Sequence, residues 1–269
     1  MMQSTIPTAP PPLRVMTFNI RYGTAKDGEN DWSHRREILF RAIERNDPDL
    51  LGTQEALAMQ VKQLKERFPG YGFVGVGRDD GKEAGEFAGL FFRSARFELV
   101  DQGHFWLSEH PEKPGSVSWD SALTRMATWV KLRDKSDGGR EFLFLNTHWD
   151  HRGEKARLES AKLIRSRMRE LAAGLPCIIT ADLNAEEETP EYRELIGADL
   201  IDAYRVVQPQ RSTEEATFHE FKGARKGNRI DFVLTTRVFA PVDARIDRTE
   251  EGGHFPSDHF PVVVEVKRM

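Results

Sequence analysis

The chain predicts an α/β (α+β) domain, on three observations. Short, strand-like apolar runs recur from one end of the sequence to the other, bounded by Gly, Pro, Asp or Asn. Stretches with apolar residues at helical spacing separate several of them. Many of the strand-like runs are apolar throughout instead of alternating, which suits strands covered on both faces. The 269 residues exceed many single domains but suit one large sandwich. With 39% hydrophobic and 30% charged residues, a packed, soluble globule is expected.

In chain order, residues 1–12 (MMQSTIPTAPPP) read as a flexible tail, and residues 13–269 as a single domain. The first strand runs over Leu13–Ile20. A helix capped by Ser33 follows, carrying Ile38, Leu39, Ala42 and Ile43 and stopping near Asp47-Pro48. Asp49–Thr53 is the next strand. Leu57, Val61, Leu64 and Phe68 then recur at helical spacing before Pro69-Gly70. Phe87–Phe92 is a strand, and Ser108–Leu123 is the longest irregular stretch, with Trp106 and Trp119 beside it. Those tryptophans read as buried loop anchors, with stacking on a base or sugar as the alternative. Thr128–Leu132 and Phe142–Thr147 are strands, and Glu154–Leu171 is a helix with Ala161, Leu163, Ile164, Met168 and Leu171 inward and a solvated basic face. Cys177–Ala181, Ile230–Leu234 and Pro261–Val266 complete the strands. No internal repeat or linker interrupts the series.

Composition narrows the function classes. A formal net charge of −4 weighs against a protein that holds long nucleic acid, which needs a basic face. The single cysteine, Cys177, lies in an apolar run and reads as an inert buried thiol. The N-terminus lacks a basic start and an apolar core, and no apolar run approaches the roughly 18 residues of a membrane span, so a cytoplasmic protein without integral membrane association is expected.

Polar residues gather where the apolar runs end: FNIR at Phe18–Arg21, Gln54-Glu55, NTHWD at Asn146–Asp150, ADLN at Ala181–Asn184, RID at Arg229–Asp231 and SDH at Ser257–His259. They deliver the carboxylates Glu55, Asp182, Asp231 and Asp258, the amides Asn19 and Asn184, and the imidazoles His148 and His259. Oxygen ligands suit a hard cation such as Mg²⁺ or Mn²⁺, and imidazoles suit proton transfer or phosphate contact. Each residue alone has a blander reading. Glu55 could be a helix N-terminal glutamate, Asn19 a turn residue, and Asp182 and Asn184 an Asx-turn. His148 could be structural. Asp231 stands out, because an acid inside an apolar strand costs free energy unless paired or ligated. Asp258 beside His259 offers a carboxylate and a base near neutral pH. The run Glu186–Glu188 reads as solvated surface ahead of a helix, and Arg78-Asp79-Asp80-Gly81 as a turn with a surface ion pair. No G-x-S-x-G elbow supports a Ser-His-Asp triad, and H-E-x-x-H, P-loop and cysteine zinc patterns are missing.

Taken together and in this order, the clusters resemble the endonuclease/exonuclease/phosphatase superfamily from about Arg14 to Val266. Its Asn, Gln-Glu, Thr-His, Gly-Asp-x-Asn, Asp and Ser-Asp-His elements all have counterparts, with Ala181 in place of the glycine. NIRYGTAKDGENDW, GRDDG at Gly77–Gly81, FWLSE at Phe105–Glu109 and TFHEF at Thr217–Phe221 are similar to a mostly bacterial branch near the nocturnin-like enzymes.

The resemblance implies a four-layer α/β/β/α sandwich of two mixed β-sheets flanked by helices. It makes Glu55 the principal ligand of Mg²⁺ or Mn²⁺, with Asn19 and Asp258 close to the ion. Asp182 and Asn184 would flank the attacked phosphate and Asp231 orient the water. His259 would contact phosphate or move a proton, and His148 is the second imidazole. Its deoxyribonuclease-like branch adds Glu86, matching a carboxylate that hydrogen-bonds the first histidine, and Arg125, matching a phosphate-facing arginine. Arg21, Asp150, His151, Arg157 and His219 lie beside these clusters or on long loops and are candidates to shape the pocket. The implied function is divalent-metal-dependent hydrolysis of phosphate esters, by in-line attack of water, in a monomer acting on a small molecule or nucleic acid. A metal-dependent nuclease is the alternative, followed by a sphingomyelinase-like phospholipase and a non-catalytic binding module.

Overall fold

The computed structural model describes residues 10–269. The expected tail lies outside the described residues up to position 9. Pro11 and Pro12 lie within them, and their carbonyls each accept a hydrogen bond from Arg96 at 3.0 Å.

Among the described residues, twelve strands form two sheets. They are β1 (Leu13–Asn19), β2 (Leu50–Ala56), β3 (Tyr71–Val74), β4 (Phe87–Arg93), β5 (Phe97–Trp106), β6 (Met126–Asp134), β7 (Arg140–His148), β8 (Cys177–Asp182), β9 (Leu200–Asp202), β10 (Asp231–Thr236), β11 (Phe239–Ile246) and β12 (Val262–Arg268). The helices are α1 (Trp32–Asn46), α2 (Ala58–Arg67), α3 (Glu154–Ala172), α4 (Pro190–Ile196) and α5 (Ala203–Val207). The first sheet has the order β11-β12-β1-β2-β4-β3 and the second β5-β6-β7-β8-β10-β9. Each sheet is mixed, with one parallel pair: β1 with β2, joined through α1, and β7 with β8, joined through α3.

The sheets pack face to face through a core that includes Val15, Leu50, Leu90, Phe144, Ile178, Val233 and Val264. On the outer face of the first sheet, Met16, Phe18, Leu51 and Phe91 pack with Leu39 and Ile43 of α1 and Leu64 of α2. On the outer face of the second, Leu145, Ile179 and Phe232 meet Ala161, Ile164 and Met168 of α3. The α/β sandwich expected from the resemblance is therefore present. Successive residues of one strand face different hydrophobic layers (Val15 inward, Met16 outward), which is why these runs are apolar throughout.

The helix expected to be capped by Ser33 begins at Trp32, two residues earlier than that cap implies, so Ser33 lies inside its first turn. Asp31 precedes the helix, and its carboxylate accepts from the Asp27 N–H at 2.8 Å. No helix among the described residues is long and apolar enough to cross a membrane.

A polar knot links the two sheets. Asn146 of β7 donates through Nδ2 to the carbonyls of Thr53 (2.8 Å) and Gly89 (3.0 Å), and its Oδ1 accepts from Gln54 Nε2 (2.7 Å) and Thr180 Oγ1 (3.0 Å). A Cβ on Gly52 would collide with the Thr180 and Asn146 side chains, so glycine permits this approach. Gln54 and Asn146 are thus structural. Their contacts bring the ends of β1, β2, β7 and β8 to one rim of the sandwich.

Candidate active site

At that rim a cleft of about 540 Å³ opens, lined by residues that include Glu55, Glu86, Arg125, His148, Asp182, Asn184, Asp258 and His259. Asn19 and Asp231 lie buried directly behind, each hydrogen-bonded to a lining residue. The structure therefore brings all ten candidate residues to one place, from ends of both sheets.

Glu55 owes its position to a bulge. The pairing of β2 with β4 slips between Thr53 and Ala56, and Glu55 takes a left-handed backbone at φ 63°. This turns its carboxylate into the cleft, where Oε1 accepts from Asn19 Nδ2 (2.9 Å) and Oε2 from the Tyr22 N–H (3.2 Å). Asn19 Nδ2 also donates to Asp182 Oδ2 (2.9 Å), while its Oδ1 accepts from the Arg21 N–H (3.0 Å). Asn19 therefore bridges two carboxylates as a donor. Asp258 is held by Ser257 Oγ at 3.2 Å and stands 3.7 Å from Arg21 Nε. Burial, and then the Glu55 carboxylate, raise the Asp258 pKa above the usual carboxylate range.

Asp182 and Asp231 are register partners on β8 and β10. The Asx-turn considered for Asp182 does form: Oδ1 accepts from the Asn184 N–H at 3.0 Å. Its Oδ2 faces both imidazoles, 3.9 Å from His259 Nε2 and 3.4 Å from His148 Nε2. Burial first, and then Asp231, raise the pKa of Asp182. His259 Nδ1 is 2.9 Å from Asp231 Oδ2. Burial alone would lower the His259 pKa, but attraction and hydrogen bonding to Asp231, helped by Asp182 and Asp258, push it up to about 10.

His148 has a different setting. Asn184 Nδ2 donates to its Nε2 at 3.0 Å and to the Trp149 carbonyl at 3.0 Å. An acceptor at Nε2 puts the ring proton on Nδ1, which is buried without a partner. Burial first, and then Arg125 and Arg78, hold the His148 pKa well below the ordinary imidazole value. The expected hydrogen bond from His148 to Glu86 is not made: the nearer carboxylate oxygen stands 3.9 Å from His148 Nδ1. Arg78 grips Glu86 instead with two bonds of 2.7 and 2.9 Å. Arg78 thus stands behind Glu86 as well as 3.9 Å from the exposed Asp79 expected as its partner, because Glu86 and the Trp106 N–H (2.6 Å to the Arg78 carbonyl) draw it inward. Arg125 is only 4% exposed, and its Nε and Nη1 have no hydrogen-bond partner. Its Nη2 lies 3.2 Å from His151 Nδ1.

Other positions sort cleanly. Arg21 and His151 line the cleft; Trp106, Trp119, Asp150, Arg157 and His219 do not. Asp150 accepts from the Arg152 and Gly153 N–H groups and so shapes the turn after His148. Arg157 reaches Glu191 on α4 at 2.9 Å, so part of the α3 basic face is a helix–helix contact rather than solvated surface. The acidic run before α4 is likewise not all solvated: Glu187 pairs with Arg205 and with fully buried Arg229.

Arg35 was not singled out from the sequence. It is 1% exposed and donates to the carbonyls of Ile20, Arg21, Asn30 and Pro256, tying the segment after Asn19 to the segment before Asp258. The signal was available: Trp32, Arg35 and Leu39 fall on one helical stripe, and an arginine on an apolar stripe needs buried acceptors.

Glu55 and Asp258 both line the cleft and offer only oxygen, which fits a hard cation. Asp182, Asp231 and His259 also bring ligand atoms within 4.8 Å of one another. That second set is already closed by the His259–Asp231 hydrogen bond, and a cationic imidazole repels a metal ion.

Fold and site together define a hydrolase of the endonuclease/exonuclease/phosphatase type. The model of the Endonuclease/Exonuclease/phosphatase family matches residues 16–259, and the chain belongs to this family, whose members act on phosphoesters. It is similar to an endonuclease/exonuclease/phosphatase family protein of Bacteroides thetaiotaomicron, with 36% identity and a TM-score of 0.91 over 97% of this chain and 100% of the other. It is also similar to a mannosyl-6-phosphatase of the same organism, at 37% identity and a TM-score of 0.88 over 94% and 99% of the two chains. Human nocturnin is 22% identical over 98% of this chain and 67% of its own length. The chain spans 42% of the length of Drosophila melanogaster nocturnin.

Proposed function

We propose that this protein is a divalent-metal-dependent hydrolase of small phosphate esters, phosphomonoesters foremost, acting by in-line attack of water. One observation carries the reading. A cationic and a neutral imidazole flank the same buried carboxylate, Asp182, beside a buried guanidinium with two unpartnered donors. Phosphate supplies the acceptors that Arg125 lacks. The mannosyl-6-phosphatase among similar structures supports phosphomonoesters.

The roles follow from the geometry. Arg125 takes a non-bridging phosphate oxygen and fixes the ester's orientation. Asp182, positioned by Asn19 and raised in pKa, accepts a proton from the attacking water. Asn184 fixes the tautomer of neutral His148, which donates through Nδ1 toward the charge that develops on phosphorus-bound oxygens. His259, kept protonated by Asp231, gives a proton to the departing oxygen. Mg²⁺ or Mn²⁺, held by Glu55 and Asp258, would supply neutralisation of phosphate charge.

The test is hydrolysis of p-nitrophenyl phosphate, bis-p-nitrophenyl phosphate and supercoiled plasmid, with Mg²⁺ or Mn²⁺ and with chelator. The expected result is release of nitrophenol that chelator abolishes and added metal restores, with the plasmid intact. No turnover with any metal overturns the proposal, and efficient plasmid nicking replaces it with a nuclease.

A further inference from the structure

Beyond the reacting groups, the mouth of the cleft carries an exposed aromatic ring. Phe218 is 44% exposed, yet its ring lies 5.1 Å from the His259 ring and lines the cleft. Placed inside a polar cleft, the ring offers apolar area for a ligand to cover.

The loop that presents it is pinned from below. The Phe260 N–H donates to the Thr217 carbonyl (2.7 Å) and the His219 N–H to the Asp258 carbonyl (2.8 Å). Thr217 Oγ1 accepts from the Ile230 and Asp231 N–H groups at 3.0 and 3.3 Å. His219 points inward and stacks on Phe260 at 3.8 Å. Glu220 and Phe221 then both take left-handed backbones, at φ 50° and 60°. Two consecutive non-glycine residues in that region are a strained arrangement that the surrounding contacts must enforce. The fold thus holds Phe218 beside the His259 ring at the mouth of the cleft.

We propose that Phe218 is a specificity-determining residue, the platform on which the leaving group of the ester rests, and that this group is a sugar ring. The inference rests on the phosphomonoesterase reading above. The C–H face of a pyranose covers a phenyl ring, while its hydroxyls need polar partners. Arg21, Asp27, Tyr22 and Glu220 supply those at the same mouth. A nucleobase fits less well. Its edge calls for amide or equivalent readers, and the lone amide side chain lining the cleft among the described residues, Asn184, is committed to His148 and the Trp149 carbonyl. A second phosphate fits less well too, because the guanidiniums lining the cleft are few: Arg21 is bound by Asp27, and Arg125, 3.6 Å from Asp150, is assigned to the first phosphate.

The experiment compares kcat/KM for mannose 6-phosphate, adenosine 5′-monophosphate and ethyl phosphate in wild type, Phe218→Ala and Phe218→Tyr, each first checked for a native melting transition. Wild type is expected to favour the sugar phosphate. Phe218→Ala should lose about tenfold on it, mainly through KM, and stay within about twofold on ethyl phosphate, which has no ring to stack. Phe218→Tyr should recover the loss. Equal losses on both esters, or no loss, overturn the platform. A wild-type preference for the nucleotide that Phe218→Ala removes overturns the sugar assignment. Turnover of ethyl phosphate with no sugar preference sinks this inference alone, whereas turnover of none of the three esters sinks the parent reading.

Discussion

Two histidines stand on opposite sides of one carboxylate and are driven in opposite directions. His259 and His148 both approach Asp182 Oδ2, at 3.9 and 3.4 Å, and both are buried. Burial acts on both with the same sign, against the charged ring. What separates them is the next neighbour. On the β10–β12 side Asp231, 2.9 Å away, outweighs burial and keeps His259 cationic. On the β4–β7 side the acid nearby besides Asp182 is Glu86, which is taken by Arg78, and Arg125 adds a second positive charge to the effect of burial, so His148 stays neutral. The lesson is that identity and burial do not assign an imidazole's role; the sign of the charge beside it does. A pair of titratable groups driven apart in this way is an acid and a neutral hydrogen-bonding partner.

The comparison breaks first at its shared element. Asp182→Asn should lower kcat by roughly two or more orders of magnitude with the fold intact, and steady-state kinetics with a circular-dichroism melt would check it. Turnover near wild type would remove Asp182 from the reaction.

The two flanks are then separated by parallel variants. Asp231→Asn, which removes the support of His259, should cost about a hundredfold in kcat. His148→Gln, which exchanges one neutral hydrogen-bonding side chain for another, should cost about tenfold. The reverse order would show that the wrong imidazole had been given the proton.

Glu86→Gln sharpens the account of the His148 side. Because Glu86 serves Arg78, the variant should lose stability, by about 3 kcal/mol in urea unfolding, while kcat falls less than tenfold. A collapse of kcat with unchanged stability would instead reveal a working Glu86–His148 dyad.

The smallest effect is the dependence of stability on pH in metal-free protein. His259 has a raised folded pKa, so its contribution is full below the unfolded value near 6.5 and fades as pH rises toward about 10. His148 has a lowered one, so its contribution is full above that unfolded value and fades as pH falls below it. Urea midpoints compared between wild type and each variant should therefore differ with opposite pH slopes. Parallel slopes would mean that both rings share one protonation state.

The strands that the sequence reveals and those that it hides differ in position, not in kind. All eight runs read as strands are interior strands: β12, β1, β2 and β4 in one sheet, β6, β7, β8 and β10 in the other. The four unforeseen strands, β3, β5, β9 and β11, are the four sheet edges. An interior strand is covered on both faces and writes a continuous apolar run, whereas an edge strand such as β5 is largely exposed between Phe97 and Phe105 and reads as loop. The short helices α4 and α5 escaped for a related reason, since seven and five residues are too few to show a period.

Sequence by itself determined the interior strands, the three longer helices and the acids, amides and imidazoles placed at strand ends (Asn19, Glu55, His148, Asp182, Asn184, Asp231, Asp258 and His259), because burial on two faces and polar residues at strand ends leave a linear trace; Asp27 and Glu220, which also line the cleft, left none. Tertiary structure alone decided how those groups behave. The left-handed turn of Glu55, the capture of Glu86 by Arg78, the clamp of Arg35 and the opposite charge states of His148 and His259 depend on neighbours from distant segments. The electrostatic field at a buried atom is set by distances of a few ångströms, and no local pattern of residues records them.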